Sequence, residues 1–239
     1  MLRNSDVYQE RIADDYERLI TCEDYEENIP KTLFSIADFR GKTVVDLGAG
    51  TGRLSCMAAP LARQVVAVDY APDMLRVAAE KLARIRADGW RTVLADMRDL
   101  PLPDRSADIV TAGWSVCYLA GSNIKDGEQN LDRVLGECGR ILRDGGTIIM
   151  LETLGTGFDE PVVQDFLRHY FDRLSGFYGF RHMQIRTDYR FDSAEEAAET
   201  VRRFFGEEAG RKTRERGSPV VPEFTGVWRK TVRAGDGKE

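Results

Sequence analysis

The chain is expected to fold as an α/β protein, a mostly parallel seven-stranded sheet with helices on both faces and an antiparallel last strand. Two features of the sequence lead there. Short β-branched apolar runs alternate with segments of helical spacing from Thr43 to Leu151, the pattern of a parallel sheet with right-handed crossovers. Beyond that point the texture changes, and a last strand from Pro222 to Val232 is expected to run antiparallel to its predecessor.

Size and composition agree with one domain spanning residues 1–239. At 239 residues, with 42% apolar and 31% charged content, an ordinary globular protein with a full core is expected. No apolar run reaches membrane-spanning length and no leader sequence stands at the start, so a cytoplasmic location is expected. The net charge of −6 argues against a nucleic-acid polyanion as partner, because phosphate neutralisation drives that affinity. Cys22, Cys56, Cys117 and Cys138 show neither CxxC nor any metal-ligand spacing, so reduced core thiols and no metal are expected. The sequence carries no signal for oligomeric state.

Taken in order, Val7 to Ile20 reads as an amphipathic helix with Val7, Ile12, Tyr16 and Leu19 or Ile20 on one side. Another helix falls between Cys22 and Arg40, making residues 1–40 a helical cap. Thr43 to Leu47 is the first strand, buried on both faces. A glycine turn leads into a helix from Arg53 to Arg63, and Val65 to Asp69 is the second strand. Pro72 opens a helix through about Ala87, proline being tolerated in a first turn. Arg91 to Ala95 and Ala107 to Ala112 are strands three and four. Apolar positions 131, 134, 135, 138, 141 and 142 mark a helix that stops at Asp144-Gly145-Gly146, and Thr147 to Glu152 is strand five.

The remainder holds a helix from Glu160 to Leu174 and an alternating strand, Phe180 to Phe191, with Met183, Ile185, Tyr189 and Phe191 on its apolar face. Ser193-Ala194-Glu195-Glu196 is a capping box that opens a helix to about Gly206. The basic run Arg211 to Arg216 reads as a solvated loop. Gly155 to Phe180, rich in glycine and aromatic residues, reads as a partial lid hinged at its glycines.

The candidate site centres on TVVDLGAGTG, Thr43 to Gly52. A strand feeding a helix through glycines lets a ligand approach the backbone. Asp69, 17 residues beyond Gly52, stands where a carboxylate can take both hydroxyls of a ribose. Asp46 lies inside a buried strand end, where an unpaired carboxylate would be costly. It therefore implies a donor-rich or cationic partner, from the ligand or from adjoining backbone. The dinucleotide pattern GxGxxG fails, because its third glycine position is Arg53.

DLGAGTG closely resembles the (D/E)xGxGxG loop of the class I S-adenosylmethionine (SAM)-dependent methyltransferases, particularly the small-molecule 11/25 type. The resemblance covers roughly Tyr16 to Glu152 well and the remainder weakly, and implies a Rossmann-like sheet with SAM as cofactor. It extends to LRDGGTIIM, which is similar to the family's LxPGG element with Asp144 in place of proline. By this resemblance the loop, with Asp46, Gly48, Ala49 and Gly50, backs the methionine end of the cofactor. Asp69 takes the ribose, with Tyr70 and Met74 beside it. Asp96 faces the adenine amine, unless it merely caps a turn, and Met97 suits the ring's flat surface. Tyr16 or Tyr8 closes over the cofactor from the leading helix, and Trp114 completes the set. Gly113 to Leu119 contains no NPPY-like sequence, which counts against modification of nucleobase amino groups.

Methyl transfer from a sulfonium is a direct displacement that needs alignment and exclusion of water, with no nucleophilic residue and no metal. No catalytic residue is therefore assigned. Tyr118, Glu152 and Tyr178 are candidate substrate contacts, core packing or turn capping being the plainer readings. His169 and His182 belong to no constellation. The expected function is a SAM-dependent methyltransferase acting on a small molecule. A SAM-binding partner or regulator without turnover is the alternative, and a dinucleotide-dependent oxidoreductase is poorly supported.

Overall fold

The computed structural model describes residues 17–232. Seven strands form the main sheet: β1 (Thr43–Leu47), β2 (Gln64–Asp69), β3 (Trp90–Leu94), β4 (Ala107–Gly113), β5 (Leu142–Thr156), β6 (Arg181–Arg186) and β9 (Glu223–Thr231). Their order is β3-β2-β1-β4-β5-β9-β6. The first five run parallel, and β9 is antiparallel to both β5 and β6. The expected sheet, antiparallel last strand included, is what forms. Strand order reverses between β1 and β4, the place where open α/β sheets leave a crevice at their carboxyl ends.

Both faces of the sheet are covered because β1 and β2 are apolar almost throughout. On one face Ile29 and Leu33 of α1 (Asn28–Ile36) join Leu54 of α2 (Arg53–Ala58) and Leu75 and Leu82 of α3 (Pro72–Ile85). The other face takes the short α4 (Cys117–Ala120), α5 (Gly127–Ile141) through Leu131, Val134, Cys138 and Ile141, and α6 (Asp165–Asp172) through Leu167, Tyr170 and Phe171. Among the described residues all four cysteines are free thiols. No helix among them is long and apolar enough to cross a membrane.

Several elements differ from expectation for local reasons. α2 ends at Ala58 rather than Arg63, since Pro60 supplies no amide for a further turn. α6 starts at Asp165 rather than Glu160, following Pro161, and passes into a wide π-type turn at Arg173–Phe177. β5 runs through Gly155 and Thr156, so the first supposed hinge is partly strand. The alternating stretch Phe180 to Phe191 divides into β6 and β7 (Tyr189–Arg190), the latter pairing with β8 (Val220–Val221) in a separate two-stranded sheet and bridging to Glu23 through Tyr189. β6 lies at the sheet edge and leaves Met183 exposed, so its alternation does not mark a buried face.

The capping signal at Ser193 holds: its hydroxyl accepts from the Glu196 N–H at 3.1 Å and α7 (Ala194–Phe205) ends at Gly206. The basic run is not a loop. It lies on α8 (Glu207–Arg216), where Arg211 pairs with Glu215, Lys212 with Glu208, Arg214 with Glu195 and Arg216 with Asp159. Acids four residues away and on neighbouring elements remove the repulsion that argued for an irregular solvated segment.

Trp228 of β9 fastens α6 to the sheet. Its ring lies 4.4 Å from Phe171 and stacks at 4.3 Å on His182, and its indole N–H donates to Ser175 at 3.1 Å. Room for the ring comes from Gly226, where an added Cβ would stand 2.4 Å from Trp228 Cζ3. Gly226→Ala must therefore displace the ring, and is expected to destabilise the protein by about 2 kcal/mol. Denaturant unfolding measures this, and a loss below about 0.5 kcal/mol would show that the ring has slack.

Candidate active site

The turn after β1 is built around Asp46. The carboxylate is 1% exposed; Oδ2 accepts from the Ser55 N–H at 2.9 Å and the Ser55 hydroxyl at 2.6 Å, and Oδ1 from the Thr111 hydroxyl at 2.9 Å. Its partners thus come from α2 and β4, not from a ligand. Burial raises its pKa to about 6 against the pull of these bonds. The turn itself needs glycine: Gly48, Gly50 and Gly52 all have positive φ. At Gly48 a Cβ would meet Ser115 Cβ at 2.3 Å, whereas at Gly50 it would meet nothing within 4 Å. Gly48 serves packing, and Gly50 faces open space.

Asp69 ends β2 beside the turn. One oxygen accepts from the Gly50 N–H at 2.8 Å and the other from the Ala71 N–H at 2.9 Å. Burial raises its pKa, with these backbone bonds opposing. Each oxygen keeps a lone pair for a further donor.

These residues border a cleft of about 540 Å³, within the range of small-molecule sites. Asp46, Gly48, Ala49, Gly50, Asp69, Tyr70, Met74, Asp96, Met97 and Trp114 all line it, and Tyr118 sits at one end. Tyr16 and Tyr8 lie outside the described residues. Asp96 is engaged by Arg98, which caps its turn through N–H at 2.8 Å and pairs through its guanidinium at 2.6 Å. That pairing holds its pKa below the ordinary value, and Asp96 both caps its turn and lines the cleft. Trp114 has a φ of 50°, its N–H bonded to Leu151 O at 2.7 Å, and the Arg53 guanidinium over its ring at 4.8 Å. Thr51 and Ser115 are among the lining residues that escaped sequence reading. Thr51 carries a buried hydroxyl without a hydrogen-bond partner among the described residues, and its place inside GAGTG was the available signal. Ser115, which donates to Leu47 O at 3.0 Å, had no such signal.

A second cavity of about 650 Å³ adjoins the cleft and shares Ile20, Trp114 and Tyr118 with it. Glu152 lines it, as do Thr153, Gly155, Thr156 and Phe158 from the supposed lid and the strand before it. Tyr178 does not: its hydroxyl donates to Asp132 on α5, and Arg173 lies over its ring at 5.3 Å. His169 bonds to Glu128 at 2.6 Å, also away from both cavities.

Glu152 is 0% exposed. Oε1 accepts from the Cys117 N–H and the Tyr170 hydroxyl, each at 3.1 Å. Oε2 has no partner among the described residues. Burial pushes its pKa from 4.5 up to about 7. Because the folded value is the higher one, any stability this group contributes is present below about pH 4.5 and lost as the pH rises through 7. Glu152→Gln keeps both acceptor bonds on Oε1 without the charge. At about pH 8 the variant is expected to be the more stable protein by up to about 3 kcal/mol, with the difference vanishing near pH 4. Equal stability at both pH values would mean the carboxyl is not held in a desolvated site.

Residues 45–150 match the family described as "Methyltransferase domain". A demethylmenaquinone methyltransferase from Clavibacter sepedonicus is 35% identical over 121 residues, covering 51% of this chain and 45% of that protein. The enzyme of the same description from Thermus thermophilus is 36% identical over 143 residues, 58% of each chain. The chain thus spans about half the length of these curated relatives. A solved phosphoethanolamine N-methyltransferase 2 from Haemonchus contortus, in complex with phosphomonomethylethanolamine and S-adenosylhomocysteine, superposes with a TM-score of 0.61 at 15% identity, covering 96% of this chain and 58% of that one. At that identity the likeness concerns the fold. These matches fall on the part of the chain that carries the DLGAGTG turn at the switch point of the sheet.

Proposed function

We propose that the protein is a SAM-dependent methyltransferase acting on a small molecule. The observation that carries this is the glycine turn opening on a cleft that adjoins a second cavity across Trp114 and Tyr118. A transferase of this kind needs two neighbouring compartments, one for the methyl donor and one for the acceptor.

The residues present fit the cofactor. Gly50 offers a turn with no side chain in the way, Asp69 has acceptor capacity for a ribose, and Thr51 has a buried hydroxyl without a partner. Met74, Met97 and Trp114 supply apolar surface for a base. SAM supplies an electrophilic methyl group; this chain's residues bind, orient and exclude water. Tyr16 remains a candidate to close the cleft, and Ile20 borders both cavities. The related names span a quinone-precursor methyltransferase and a phosphoethanolamine methyltransferase, so they support a small-molecule acceptor without selecting one. A cytoplasmic location and no nucleic-acid partner fit this reading. Release of S-adenosylhomocysteine on incubation with cell extract separates it from SAM binding without turnover.

Gly50→Val places a branched side chain at a position of φ 55° that faces the cleft. It should lower SAM affinity more than a hundredfold by calorimetry while circular dichroism shows a folded protein. Native affinity in the variant would move the cofactor elsewhere.

The lid is narrower in this proposal than the stretch from Gly155 to Phe180. Leu167, Tyr170, Phe171 and Leu174 are core residues, so residues 165–174 act as a fixed layer. Residues 155–164 and 17–22 border the cavities and remain to close over the ligand. Hydrogen exchange with SAM present should gain protection in 48–52, 155–164 and 17–22, with 165–174 unchanged. Protection confined to 48–52 and the β2 and β3 ends would remove the lid.

A further inference from the structure

The second cavity has an unusual floor. Its walls are apolar, supplied by Leu19, Phe158, Tyr189, Phe204 and Phe205 among others. Yet three buried glutamates belong to its lining: Glu23, Glu152 and Glu223.

Their hydrogen bonding is incomplete. Glu23 is engaged by Arg53 at 2.5 Å. Glu223, 2% exposed, accepts from the Thr153 hydroxyl at 2.7 Å through Oε1, while its Oε2 is buried without a hydrogen bond among the described residues. Glu152 has the same pattern, one oxygen doubly bonded and the other with no partner. The two carboxyls come from neighbouring strands, β5 and β9, at different points along the ladder: Glu152 pairs with Gly226, and Glu223 with Thr156 beyond a register shift.

Among the described residues the charge around the cavity is one-sided. At its rim Lys212 is matched by Glu208 at 3.1 Å, and Glu23 is matched by Arg53. No cationic partner of Glu152 or Glu223 stands among the described residues. Buried carboxyls without a counter-charge stay protonated or await a cation, and burial raises both pKa values, with the charge of Glu23 adding to the effect at Glu223.

We infer that the methyl acceptor is an amine with an apolar body, its cationic nitrogen held at the floor that Glu152 and Glu223 line and its body against the aromatic walls. A hydrocarbon acceptor would leave the unpaired oxygens unmatched, and a neutral hydroxyl would offer a protonated carboxyl only a hydrogen bond. An ammonium draws the carboxyl into its ionised form and adds a charge-assisted bond, which an anionic acceptor cannot do. This inference rests on the second cavity being the acceptor site of the methyltransferase proposed above.

Matched probes test it: 2-phenylethylamine against 2-phenylethanol, titrated by calorimetry into the full chain with and without S-adenosylhomocysteine. The amine is expected to bind at least tenfold more tightly than the alcohol. Glu152→Gln and Glu223→Gln should each weaken the amine fivefold or more, leave the alcohol unchanged, and leave S-adenosylhomocysteine affinity unchanged. Equal binding of the two probes, binding of neither, or amine binding indifferent to both substitutions overturns the inference. Failure of S-adenosylhomocysteine to bind would instead count against the cofactor cleft, and the preference for amine over alcohol is still read on the protein alone.

Discussion

The structure depends on one buried carboxylate. Asp46 ties three elements at a single point: it ends β1, accepts the backbone and hydroxyl of Ser55 on α2, and accepts Thr111 on β4. Those bonds fix where the strand stops and where the helix begins, and the glycine turn between them has little freedom left. Asp69 repeats the device one strand over, holding the Gly50 amide from the side. The cleft is therefore shaped before any ligand arrives, which lowers the ordering cost of binding.

The two cavities are made by different halves of the chain. The cleft is lined almost entirely from the parallel strands and their turns, while the second cavity draws on the tail: Tyr189, Phe204, Ala209 and Glu223. Residues 189–221 form a satellite layer of their own around Tyr189, Phe191, Ala197, Val201 and Val221. Under the proposed function, such an arrangement lets the donor compartment stay constant while the acceptor compartment varies with the tail. The family match, ending at residue 150, falls at that division.

Sequence made the parallel half legible because each signal there was local. β1, β2 and the turn between β1 and α2 follow from apolar runs and glycines, and α3 and α5 from spacing. Asp46 was recognised as needing partners, but not which ones, because Thr111 lies 65 residues away. In the tail, periodicity misled. Met183 and Ile185 alternate as a buried strand would, yet β6 is an edge. The charge run on α8 looked like a loop because the acids that neutralise it, Glu195 and Asp159, belong to other elements. Tyr178 looked like a pocket residue from its glycine-rich surroundings, and only packing against α5 removes it from the cavity. The loneliness of the Glu152 and Glu223 oxygens is a property of three-dimensional surroundings and has no sequence signature at all.

The position of β9 bears on how the molecule is made. It is the last strand among the described residues, but it lies inside the sheet, between β5 and β6. Until residues 223–231 leave the ribosome, β5 keeps an open ladder along one side and β6 has no strand to pair with. Through that interval the nascent sheet carries an apolar edge of the kind that recruits strands from other chains. Its closure waits on contacts of long sequence separation, the slow kind. Synthesis of residues 223–231 is thus the step that seals the sheet, and the period just before it is when the sheet most needs shielding by a chaperone.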